Sequence, residues 1–151
     1  SGEGYLHYVD VATKKIRSIH DKGLSWGELI LPNIIIDENQ QVYICDPEVR
    51  YDKDVPMLEQ KARDLLDVIH SMAAALAQAE GVSYEMTIRR IVESYGYDKE
   101  VFETLRNLAQ QKPTLLQRFM FEYTRVRLGQ RDMKEFVSIR KAICMALAKT
   151  T

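Results

Sequence analysis

The sequence predicts a mainly helical protein with one small β-hairpin. Three observations predict it. Leu58, Ala62, Leu65, Ile69, Met72, Leu76 and Ala79 alternate steps of four and three, an apolar seam over a helix at 57–80. Beyond residue 81, capping residues and breakers cut the chain into four further helices. Before residue 56, two short β-rich runs flank a polar tetrapeptide.

Each element has its own signal. Residues 5–21 read as a helix, with Leu6, Val9, Ala12, Ile16 and Ile19 at helical spacing and Gly23 as the stop. Residues 24–33 are irregular, punctuated by Gly27 and Pro32. Strands at 33–36 and 41–45 enclose the turn Asp37-Glu38-Asn39-Gln40, and 46–56 is a charged loop. Gly81 ends the long helix. Ser83 caps a helix to Tyr95, and Asp98 caps another to Gln111. Pro113 starts a third, which Gly129 closes. Asp132 and Glu135 have capping-box spacing at the start of the last. That helix is expected to share one face among Met133, Phe136, Val137, Arg140, Ile143, Cys144 and Leu147, with Arg140 snorkelling at its edge.

With 151 residues, 46% hydrophobic and 28% charged, the chain reads as a single globular domain over 1–151. A net charge of −1 supplies no general attraction to nucleic acid or anionic membrane. No apolar run approaches the roughly 20 residues that span a bilayer, so no membrane partner is expected. Cys45 and Cys144 read as buried free thiols; with no signal peptide in view, a cytoplasmic protein is expected. His20 reads as a helix-end packing or hydrogen-bonding residue, and His7 and His70 as structural or solvated. Arg118, Arg125, Arg127 and Arg131 interleave with Phe119, Phe121 and Tyr123, a pattern that can bind RNA. Helical spacing turns the aromatics at 119 and 123 inward and leaves a solvated basic face, so nucleic acid is not the expected partner.

The chemistry is concentrated at 19–49. Asn33 opens the first strand and Asp46 follows the second, so the hairpin brings both to its open end. A carboxylate and an amide oxygen together suit a hard cation such as magnesium with bound phosphate oxygens. Glu28, five residues before Asn33, could reach the same place as a base or a second carboxylate, or stand as an exposed loop charge.

These residues resemble the C-terminal lobe of protein-kinase-like phosphotransferases. Kinases carry His-Arg-Asp-Leu-x-x-x-Asn followed by Asp-Phe-Gly, and the atypical and aminoglycoside-type branches often have His-Gly-Asp. Trp26-Gly27-Glu28-Leu29-Ile30-Leu31-Pro32-Asn33 has the same length and frame, and the interval from Asn33 to Asp46 is similar. Ile19 to Leu24 resembles the helix end before a catalytic loop, and Ala62-Arg63-Asp64-Leu65-Leu66 the aspartate-bearing helix after the activation segment. The likeness covers residues 5–80 as a catalytic-loop core, with 81–151 as a helical subdomain. It implies that Asn33 and Asp46 hold Mg2+ against the phosphates of ATP and that Glu28 orients an acceptor hydroxyl. It further implies that Asp64 accepts backbone hydrogen bonds from the catalytic loop, and that the partners are a nucleotide and a protein or small-molecule acceptor of unstated identity.

The sequence departs from the pattern in several places. Trp26 stands where the loop histidine would be, as a packing residue or a stacking surface. Glu28 is one methylene longer than aspartate. Asp46-Pro47-Glu48 replaces Asp-Phe-Gly, with Glu48 an extra metal ligand, a substitute acid or a solvated charge. The Gly-rich loop and strand lysine of a nucleotide-binding lobe are absent, so the chain is expected to be inactive alone. The alternatives are a pseudokinase-type binding or scaffold module and, more remotely, an RNA-associated protein.

Overall fold

The computed structural model describes residues 2–46, 51–78, 81–112 and 133–148. Among them are five α-helices and one two-stranded antiparallel sheet. We number the helices α1 (Gly2–Asp21), α2 (Met57–Leu76), α3 (Tyr84–Tyr95), α4 (Lys99–Gln110) and α5 (Met133–Ala148), and the strands β1 (Ile34–Ile36) and β2 (Val42–Ile44).

α1 buries Leu6, Val9, Ala12 and Ile16, the predicted stripe. It ends in a Schellman turn: Leu24 N–H donates to Ile19 O and Gly23 N–H to His20 O, with Gly23 at φ 72°. Pro32 turns the end of the expected irregular segment into one 3-10 turn, Leu31–Asn33. β1 and β2 then pair with Ile34 opposite Ile44, Ile35 opposite Tyr43 and Ile36 opposite Val42. Asp37 closes the turn between them, its Oδ1 accepting from the N–H groups of Asn39 and Gln41.

α2 is the central helix. Residues 68–74 are all buried, because α3, α4 and α5 surround it and α1 and the 3-10 turn touch it. It ends at Leu76 rather than at residue 80. Ala77 N–H is shared between Ala73 O and Ala75 O, which tightens the last turn. Ser83 and Asp98 cap α3 and α4 through Met86 N–H and Val101 N–H, each at 3.2 Å. One apolar cluster runs from Val9 to Leu147.

The face of α5 differs from the expected one. Val137 is 51% exposed, whereas Ile139, absent from the expected face, is fully buried with Phe136, Ile143 and Leu147. Steps of three, four and four keep that stripe aligned against α3 and α4, and Val137 falls off it. Arg140 does more than snorkel: its Nη1 donates to Leu108 O (3.1 Å) and Gln111 O (2.9 Å), capping α4, and its guanidinium lies 4.5 Å over the Phe136 ring. Glu135 is buried and accepts from Tyr84 Oη at 2.8 Å. Cys45 and Cys144 are free thiols but only half-buried. His70 is buried and stacked on Phe136, and His7 is exposed beside Gln40. The expected helix at 113–129, its arginines and Asp132 lie outside the described residues. No described helix is long and apolar enough to cross a membrane.

Candidate functional site

Asp64 organises the site. It sits two turns into α2 with no solvent exposure. Trp26 N–H donates to its Oδ2 at 2.7 Å and Gly27 N–H to its Oδ1 at 2.9 Å. Tyr51 Oη donates to Oδ1 at 2.7 Å, and His20 Nε2 lies 3.1 Å from Oδ2. A carboxylate only accepts, and its two oxygens offer about four lone-pair sites, so these four groups saturate it. His20 Nε2 therefore carries a proton. Its Nδ1 lies 2.9 Å from Tyr95 Oη. Burial raises the hydroxyl pKa of both tyrosines, and for Tyr51 the Asp64 charge adds to it, so both remain donors at neutral pH.

The loop leaving this anchor is tightly turned. Gly27 and Glu28 are consecutive left-handed residues, at φ 72° and 48°. For a glutamate that conformation costs about 1 kcal/mol. It is held because Gly27 N–H is fixed on Asp64, while Glu28 O accepts from Ile30 N–H (2.8 Å) and Asn33 Nδ2 (3.1 Å). The Glu28 side chain is half-buried. Ser71 Oγ receives Leu31 N–H at 2.9 Å and seats the 3-10 turn.

The open end of the hairpin is tied to the same loop. Cys45 N–H donates to Asn33 O at 3.0 Å, and the Trp26 indole Nε1 donates to Cys45 O at 3.1 Å. Asp46 follows immediately, exposed and left-handed at φ 59°. Asn33 is thus bonded directly to Glu28, and Asp46 follows Cys45, which is bonded to Asn33 and Trp26. Trp26 is half-buried and acts through its indole N–H. Glu48 lies outside the described residues.

The groups free to accept at this end of the hairpin are oxygens. Asn33 commits its amide nitrogen to Glu28 O, which leaves Oδ1 as the acceptor end, and Asp46 adds an exposed carboxylate. Among the described residues no three His, Cys, Asp or Glu side chains cluster to hold a metal. Two protein oxygens with water and phosphate would be the Mg2+ arrangement.

Of the residues singled out from the sequence, Asp64, Trp26, Glu28 and Asn33 are joined by hydrogen bonds and Asp46 adjoins them through Cys45, whereas Tyr51, Tyr95 and Gln60 were not singled out. Gln60, one turn before Asp64, has its Oε1 accepting from Ser25 Oγ and its Nε2 donating to Val55 O at 2.7 Å. Tyr51 lies in a charged loop with no periodicity to mark it, and Gln60 reads as an ordinary polar helix residue. One residue off the site is also perturbed: burial, then the Asp64 charge, pushes Asp67 up to about 7.

No family model, no curated protein and no solved structure matches the chain.

Proposed function

We propose that this chain is the C-terminal lobe of an atypical kinase-like phosphotransferase, which with a nucleotide-binding lobe transfers a phosphoryl group from Mg-ATP to a hydroxyl. The observation that carries the reading is the buried Asp64 carboxylate receiving two consecutive backbone N–H groups immediately before Glu28. That arrangement fixes a loop carboxylate on a rigid element, as orientation of an acceptor requires. In this reading Glu28 receives the acceptor's proton, while Asn33 Oδ1 and the Asp46 carboxylate hold the cation. Bound Mg2+ would neutralise the charge developing on the phosphoryl oxygens.

Two experiments test it. Titration of the chain with millimolar Mg2+, followed by backbone NMR, should move Asn33, Cys45 and Asp46 resonances, and Asp46→Asn should abolish the shifts. Loss of nothing on Asp46→Asn, or no shift at all, refutes the metal assignment. In a chain joined to a nucleotide-binding lobe, Glu28→Gln should lower kcat by roughly a hundredfold with little change in KM for ATP. An unchanged kcat removes Glu28 as the base.

A second reading, a pseudokinase-type binding module, is favoured by one observation. The Trp26 indole, at the position that the resemblance gives to the loop histidine, donates to Cys45 O. Nucleotide binding without turnover in the joined chain would select it.

A further inference from the structure

The segment after Asp46 and the loop before Glu28 are both attached to the same face of α2. Gln60 and Asp64, one turn apart, each bridge them. Gln60 accepts from Ser25 on one side and donates to Val55 on the other. Asp64 accepts from Trp26 and Gly27 on one side and from Tyr51 on the other. These are two rungs between the same two strands of chain.

We propose that residues 51–55 are a positioning segment for the Glu28 loop, with Tyr51 and Gln60 as the positioning residues that transmit its docking. Gln60 uses both ends of its amide, and all four acceptor sites of Asp64 are taken, so neither can replace a lost bridge with another described group. Among the described residues, the rest of the segment is held lightly. Its own backbone contributes the bond from Val55 N–H to Asp52 O, while Asp52, Lys53 and Asp54 are exposed. The inference rests on the phosphotransferase reading only for what Glu28 does; the coupling itself is independent of it.

Hydrogen exchange by mass spectrometry on the chain, without nucleotide, tests this. Tyr51→Phe removes only the hydroxyl. Loss of one bond to a buried carboxylate is worth about tenfold in a local opening equilibrium. Exchange should rise about tenfold in peptides covering 51–56 and should also rise in peptides covering 24–29, with α4 unchanged. Gln60→Leu should produce the same paired response. Faster exchange at 51–56 with 24–29 unchanged overturns the proposal, as does no change in either. Should both variants lose protection throughout, the unmutated chain decides. Its 51–56 and 24–29 peptides should gain exchange with the same dependence on denaturant, and different slopes overturn the coupling. None of these outcomes depends on nucleotide binding or turnover.

Discussion

Asp64→Asn is the sharpest perturbation the structure offers. The replacement keeps the shape but turns one acceptor oxygen into an NH2 donor. If the NH2 takes the place of Oδ2, it meets Trp26 N–H and His20. The imidazole can adopt the other tautomer and accept, but the backbone N–H cannot. If it takes the place of Oδ1, it meets Gly27 N–H and Tyr51 Oη. The hydroxyl can rotate and accept, and again the backbone N–H cannot. Either orientation strands one buried N–H against a donor. The loss of a charge-assisted bond is about 1.5–3 kcal/mol, and the unsatisfied group adds about 1–3 kcal/mol. Removing a buried charge offsets part of this. The expected destabilisation is therefore about 3–4 kcal/mol, a large share of the 5–15 kcal/mol typical of a domain. Urea unfolding is the assay. Trp26, the only tryptophan, donates directly to Asp64, so its emission reports the site while far-ultraviolet circular dichroism reports the helices. A variant within about 1 kcal/mol of the parent would show that the four-donor arrangement is not what holds the loop, and the reasoning built on it would fail.

Asp67 has its pKa raised by burial to about 7, so its contribution is present below the unfolded carboxylate value and is lost as pH rises toward 7. Asp67 keeps partial solvent contact, so Asp67→Asn should stabilise by about 1–2 kcal/mol at pH 7.5 and by little near pH 4, measured by urea unfolding at both. His70 runs the opposite way: burial, then the Arg140 charge, lowers it to about 3, so its stability is present above pH 6.5 and lost as pH falls. His70→Gln should flatten the slope of unfolding free energy against pH between 6 and 4 by up to about 1.4 kcal/mol per pH unit; an unchanged slope contradicts the assignment. Arg140→Ala should cost about 1–3 kcal/mol, because two α4 carbonyls and the Phe136 ring lose their partner, and Arg140→Lys should recover only part of it. Leu105→Ala, at a fully buried position of α4, should cost about 2–5 kcal/mol by the same assay.

Local signals carried far in this chain. Ser83 and Asp98 announce α3 and α4 because an N-cap is satisfied within three residues, and the covalent chain guarantees that proximity. Gly23 announces the end of α1 for the same reason, since the Schellman bonds span five residues. The seam of α2 was equally legible, because periodicity records which face is buried. That Asp64 accepts backbone hydrogen bonds from the loop at 26–28 was an implication of the family resemblance, not of periodicity; in the fold Trp26 N–H and Gly27 N–H donate to it.

What periodicity could not supply is the identity of the partners across long separations. Ile139 and Val137 are both β-branched apolar residues, and only the packing of α5 on α3 and α4 decides which is buried. Arg140 reads as a solvated cation until the exposed carbonyls of Leu108 and Gln111, about thirty residues away, are brought beside it. Tyr51 and Gln60 carry no sequence signal at all, because a hydrogen bond between side chains leaves no pattern along the chain. The sequence by itself determined where α3 and α4 begin, where α1 ends and which face α2 buries. Tertiary structure alone decided that the buried Asp64 carboxylate would also collect donors from α1, through His20, and from Tyr51. A carboxylate removed from water must find its hydrogen bonds from whatever the fold brings near it.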